Sequence, residues 1–138
     1  MQKVDIYLET DSIQQAAAKR KYGYVLATTY KGKLETREGF GQMEGTYHQT
    51  ILRALCEALN RMKVSCEITI YSRNAHVMAH VKKIQEMEEM NFKDSKGNDI
   101  RNHDQWKIVS REAKKHHLET KYGHHEYTNW LLDEMRKR

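Results

Sequence analysis

Lys3–Ser12, KVDIYLETDS, alternates apolar Val4, Ile6 and Leu8 with polar Asp5, Tyr7 and Glu9. A period of two is the pattern of a strand with one face in a core. Glu9 and Asp11 lie two residues apart, so an extended chain sends both carboxylates out of the same face at the strand's end. That face is where cation or phosphate chemistry would occur, although acids at a strand end are also ordinary solvated turn formers.

A chain of 138 residues has the length of one domain, 1–138, and can bury a real core. With 38% hydrophobic and 31% charged residues it reads as a polar globule, and no apolar run approaches the ~18 residues that cross a bilayer. The start, MQKVDIYLET, carries acids where a secretory leader needs an apolar core, which predicts a cytoplasmic protein with reduced thiols. Cys56 and Cys66 form no CxxC pair and are expected to be small packing residues.

The net charge of +5 is modest, but it is unevenly placed. Between Lys19 and Arg37, the cations Lys19, Arg20, Lys21, Lys31, Lys33 and Arg37 face one acid, Glu35, and are interleaved with Tyr22, Tyr24 and Tyr30. Cations mixed with aromatics suit a phosphate backbone with something to stack on it; they equally suit the solvated face of a hairpin.

Tyr22–Tyr30 is rich in strand formers, Lys31-Gly32 has the chemistry of a two-residue turn, and a third strand follows over Lys33–Glu44. Gly39, Gly41 and Gly45 match no phosphate loop and mark bulges or close backbone approaches. From Thr46, a potential cap, Tyr47, Ile51, Leu55, Ala58 and Met62 fall at helical spacing to about Arg61. Cys66–Ser72 alternates as a strand, so strand, helix and strand imply a parallel crossover. A second helix carries Val77, Val81, Ile84 and Met87, with His76 and His80 beside the stripe as a surface pair or, with a third ligand, a metal site. Asn91–His103 reads as a protruding loop with a turn at Ser95–Asn98. Asp104 can cap a helix striped by Trp106, Val109 and Ala113. A short strand is expected near Leu118–Tyr122, then a Gly123–Glu126 loop. In the last helix Tyr127, Leu131 and Met135 share one side, and Asn129 and Asp133 another.

This order of elements resembles ribonuclease H. Gly23-Tyr24-Val25-Leu26 resembles the family's second strand, and Cys56-Glu57-Ala58-Leu59 followed by Cys66-Glu67-Ile68 resembles its first helix feeding the fourth strand. Asn102-His103-Asp104-Gln105-Trp106 resembles the N-x-D-x-W start of the helix after the protruding loop. Gly123-His124 followed by Asn129 and Asp133 resembles the mobile His loop and closing helix, with a His-to-Asp spacing one residue shorter than the family's. The resemblance implies an α/β, RNase H-like fold: a five-stranded mixed sheet, three antiparallel strands then two parallel, flanked by helices, with Glu9 near its centre. It also implies nucleic acid as partner, an RNA·DNA hybrid or a duplex; the expectation of no membrane comes from the lack of a long apolar run.

Active members hold two Mg²⁺ with four carboxylates, because two divalent ions a few ångströms apart need that much negative charge. Carried over by position, the first-strand acid falls on Glu9, with Asp11 a near substitute. The first-helix glutamate falls on His48, the fourth-strand aspartate on Arg73, and the last-helix aspartate on Asp133. A guanidinium puts fixed positive charge where the shared metal ligand belongs. The resemblance therefore implies a nucleic-acid-binding domain without standard two-metal cleavage. Its catalytic positions are Glu9, Asp11, His48, Arg73, Asp133 and His124. Its nucleic-acid contacts are Lys19, Arg20, Lys21, Tyr22, Lys31, Lys33, Asn74 and Asn129. Any cofactor is weakly bound Mg²⁺ or Mn²⁺ at Glu9, Asp11 and Asp133, or none. Two alternatives stay open: an active nuclease with a rebuilt site of Glu9, Asp11, His48 and Asp133, and a protein-interaction domain on the inherited fold. Glu9, Arg73 and Asp133 are expected within salt-bridge reach.

Overall fold

The alternating stretch at the N-terminus is strand β1 (Gln2–Thr10), which pairs antiparallel with β2 (Ala18–Tyr30), itself antiparallel to β3 (Lys33–Gly45). The computed structural model describes residues 1–138 throughout. Lys31 and Gly32 turn the hairpin with φ of 52° and 76°, the twin positive values of a type I′ turn. Gly39 and Gly41 are close backbone approaches: a Cβ on either would lie 2.3 Å from the ring or hydroxyl of its cross-strand partner, Tyr24 or Tyr22.

Helix α1 (Tyr47–Asn60) starts on a full capping box, with Thr46 Oγ1 accepting from the Gln49 N–H and the Gln49 side chain accepting from the Thr46 N–H. Strand β4 (Cys66–Ser72) then pairs parallel with β1, and β5 (His117–Tyr122) parallel with β4, giving the order β3-β2-β1-β4-β5. This is the mixed five-stranded sheet the sequence predicts, with β1 in the middle.

The expected second helix is two, α2 (Ala75–Val81) and α3 (Ile84–Glu89), because the hydrogen-bond ladder tightens at the Lys83 N–H to His80 carbonyl contact and then restarts. Asp104 does not cap its helix: α4 (His103–Ala113) begins after Asn102, which turns the chain at φ 62°, and Asp104 lies exposed in the first turn. The preceding loop is tied down at its root, where Phe92 is buried and its carbonyl accepts from the Ile100 N–H. The final helix is α5 (Thr128–Arg136).

Alternation along β1 divides the interior. Val4, Ile6 and Leu8 enter the main core with Ile51, Leu52, Leu55, Leu59, Trp106 and Val109, whereas Tyr7 packs on the opposite face with Val25, Ala27, Leu131 and Met135 beneath α5. No helix is long and apolar enough to cross a membrane. The thiols of Cys56 and Cys66 are free, and burial pushes the Cys56 thiol up to about 12, consistent with packing rather than reactive roles.

The same alternation corrects the reading of Lys19-Arg20-Lys21 as an open basic patch. Arg20 faces inward with Tyr22 and Tyr24 and is 1% exposed. Its guanidinium donates to the carbonyls of Gly45 at 3.1 Å, Ala16 at 3.0 Å and Gln14, folding the Ser12–Ala16 segment over the sheet end. Lys21 Nζ donates to the carbonyls of Met135, at 3.1 Å, and Arg138, closing the end of α5. The buried Tyr22 hydroxyl donates to Glu57. Of this trio, Lys19 alone is exposed.

Candidate nucleic-acid interface

Because β1 and β4 run parallel, with Tyr7 level with Tyr71, their ends deliver Glu9 and Arg73 side by side. Arg73 Nε donates to both Glu9 oxygens at 2.9 and 3.2 Å, and Nη2 lies 2.9 Å from Oε1. The pair is the expected one. The Glu9 side chain is 2% exposed and that of Arg73 19%, so the carboxylate is sealed while the guanidinium keeps an open side.

Two further donors complete the knot, and neither was singled out from sequence. Thr128 Oγ1, at the start of α5, donates to Glu9 Oε2 at 2.8 Å. His125 Nδ1 accepts the Tyr127 N–H at 3.2 Å, so the neutral ring carries its proton on Nε2, 3.0 Å from the Leu8 carbonyl and 3.2 Å from Glu9 Oε2. Stacked Tyr7 and Tyr71, 4.6 Å between centroids, with Tyr127 edge-on, wall off the knot beneath. Burial alone would raise the Glu9 carboxyl; the bonds from His125, Arg73 and Thr128, with the charge of Arg73, outweigh it and hold the group below its ordinary value.

The other expected site residues are distributed differently. Asp133 is a correction: it projects from the exposed side of α5 and pairs with Arg136 at 2.7 Å, because Leu131 and Met135 take the side that packs on the sheet. Asp11 is exposed and accepts the Lys21 N–H at 3.1 Å, fastening the end of β1 to β2. Asn129 is exposed on α5. His124 is the exposed member of the histidine pair, on the rim of a cleft of about 260 Å³ that Arg73, Tyr47 and Tyr122 also line. Burial, then the Glu9 charge, push the Tyr47 hydroxyl up to about 12, so the cleft wall keeps an O–H donor.

Asn74 is 1% exposed and caps α2, its Oδ1 accepting from the Val77 N–H while Nδ2 donates to His48 Nδ1 at 2.9 Å. It links the knot to His48 on the first turn of α1. Lys31 and Lys33 are exposed but sit beyond the start of β1, since β2 runs Tyr22 beside Thr10 and Thr28 beside Val4. They lie at the sheet end opposite Glu9 and cannot share a surface with it.

The residues present do not fit a divalent pair. Glu9 spends both oxygens on Arg73, Thr128 and His125, Asp11 and Asp133 face elsewhere, and no three His, Cys, Asp or Glu side chains lie together so as to hold an ion. What the arrangement offers instead is an anion receptor: a guanidinium braced on its inner side by a buried carboxylate and open outward to a cleft.

A mixed sheet of this order, with a carboxylate leaving its central strand beside the end of a parallel neighbour, defines an RNase H-like fold. The RNase H family profile matches residues 1–138, and this chain belongs to that family. Ribonuclease HI of Haemophilus ducreyi is 30% identical over 101 residues, which are 70% of this chain and 66% of that protein; the chain spans about two thirds of its length. Among solved structures, the PFV RNase H domain superposes with a TM-score of 0.70 at 14% identity over 97% of this chain and 90% of that one. The foamy viral protease-reverse transcriptase in complex with RNA/DNA hybrid gives 0.67 at 13% identity over 88% of this chain and 17% of that one.

Proposed function

We propose that this chain is a nucleic-acid-binding domain of the RNase H family, recognising RNA·DNA hybrid or duplex backbone, in which Arg73 replaces the metal ions and standard two-metal cleavage is absent. The observation that carries the reading is the Glu9–Arg73 pair at 2.9 Å. A permanent cation already neutralises the central carboxylate, and its outer side can take a phosphate oxygen. The hybrid bound by the foamy viral relative supports the substrate class. The backbone would run from Arg73 and His124 across His48 toward Arg101, with Lys19 at the flank; Asp11 and Asn129 are peripheral.

The test is binding and cleavage of labelled RNA·DNA hybrid and duplexes with Mg²⁺, with Mn²⁺ and in chelator. Binding that persists without metal and falls steeply with salt, with no cleavage, is the expected result. Cleavage that requires Mg²⁺ or Mn²⁺ would establish the active-nuclease alternative. Absence of binding would favour the protein-interaction alternative.

A further inference from the structure

Beside the Glu9 knot, three histidines from two helices lie ring against ring, the first two stacked and the third tilted by 34° to the second. His48 on α1 lies 4.2 Å from His76 on α2, at 16° between planes, and His76 lies 4.0 Å from His80, which leans on buried Trp106 at 6.0 Å. The periodicity of α2 explains the second contact, since residues four apart share a face. The first arises because the Asn74 cap bonds His48 and begins α2, bringing the two helix starts together.

The nitrogens define what this stack can do. His80 Nδ1 donates to the His76 carbonyl at 2.7 Å, leaving its Nε2 lone pair open, and His48 accepts Asn74 on Nδ1, leaving an N–H donor on Nε2. His76 makes no side-chain hydrogen bond among those that hold its neighbours. Two imidazolium rings about 4 Å apart repel by roughly 1 kcal/mol in water and several-fold more in a less polar setting, so the stack accepts protons reluctantly unless an anion joins it. Burial, then the charges of His80, His48 and Arg101, push His76 down to about 4.

The charged groups around the rings are lopsided. His76 and His80 open onto a groove of about 350 Å³ whose walls carry Lys83, Lys93 and Arg101 against one carboxylate, Glu86. Lys93 is occupied by Asp99 at 2.8 Å; Arg101 has no carboxylate partner. From α1 the facing group is His48, and α4 presents the uncharged Trp106.

We propose that His76, His80 and Arg101 form a phosphate-binding subsite that takes up protons as it binds, so that affinity for a phosphate-bearing ligand rises as pH falls from 7.5 to 5.5. The sign follows from linkage: an anion stabilises the charged rings, so the bound form holds more protons than the free form, and acid favours it. Identification of the phosphate as nucleic-acid backbone rests on the function proposed above; the proton-coupled anion site does not.

Two measurements on the full chain test it. The imidazole C–H resonance of His76 is followed against pH with and without inorganic phosphate at constant ionic strength; its midpoint moves upward with phosphate, and a midpoint that stays put overturns the proposal. Hybrid affinity is then measured at pH 7.5 and 5.5 for the unmutated chain, His76→Gln/His80→Gln and Arg101→Gln. The unmutated chain gains roughly tenfold on acidification, within the usual range of such couplings, and the double variant gains less than about twofold. An equal gain in the double variant overturns the subsite. If hybrid binds at no pH, the proposed function fails, and the phosphate titration still decides the subsite.

Discussion

Two buried charges near the same end of the sheet are neutralised in different ways. Glu9, on the α5 side, is held by a counter-ion, a hydroxyl and an imidazole. Arg20, on the α1 side, has no carboxylate partner and is satisfied by main-chain carbonyls alone. A charge saturated by backbone is mortar for a loop and offers nothing to a ligand. A charge held by a side chain that itself reaches a cleft passes that polarity outward, and this distinguishes the candidate site from the structural one.

The largest effect should come from Arg20→Ala, which strips donors from the buried Gly45 carbonyl and the part-buried Ala16 carbonyl and frees the Ser12–Ala16 segment. A loss of about 3 kcal/mol is expected by urea unfolding, with little change in nucleic-acid affinity beyond that due to unfolded protein. Stability equal to the unmutated chain would remove the distinction.

Arg73→Ala should cost less, about 2 kcal/mol at pH 7, since His125 and Thr128 still hold Glu9, and it should weaken hybrid binding as well. Its pH dependence has a definite sign. Glu9 is held below its ordinary value, so its contribution is present above the unfolded value of about 4.3 and disappears as pH falls through the lower folded value. Without Arg73, its hydrogen bond and its charge no longer oppose burial, so the carboxyl sits higher than in the unmutated chain. The stability gap between the two proteins should therefore shrink as pH drops from 5 toward 3. A gap that is constant over that range would show that Arg73 does not set the state of Glu9.

A smaller effect is expected at the far end of the sheet. Lys31→Glu/Lys33→Glu should change hybrid affinity by less than about twofold, whereas Arg101→Glu should lower it severalfold and flatten the salt dependence. A large loss from the hairpin pair would move the binding surface to the opposite end.

Much of the fold was legible because each element carried its own period. The twofold alternation of Val4, Ile6 and Leu8, the Lys31-Gly32 turn and the Thr46 cap each agree with the structure. The Glu9–Arg73 pair followed from parallel register. The outward direction of Asp133 is written in the helix period, since Leu131 and Met135 claim the packed side of α5 and residues two away point elsewhere. Arg20 is legible only by strand face and not by charge along the chain, since it alternates with Tyr22 and Tyr24, both buried. His125 and Thr128 were not legible. Their positions depend on the path of the Gly123–Tyr127 loop, which no periodicity fixes.

Isothermal calorimetry of Mg²⁺ into the unmutated chain and into Arg73→Asp/His48→Glu decides whether Arg73 stands where metal would bind. No binding heat up to millimolar Mg²⁺ is expected for the unmutated chain, and measurable affinity for the variant, in which carboxylates gather around Glu9. Tight Mg²⁺ binding by the unmutated chain would contradict the claim and return the site to the metal-dependent nucleases.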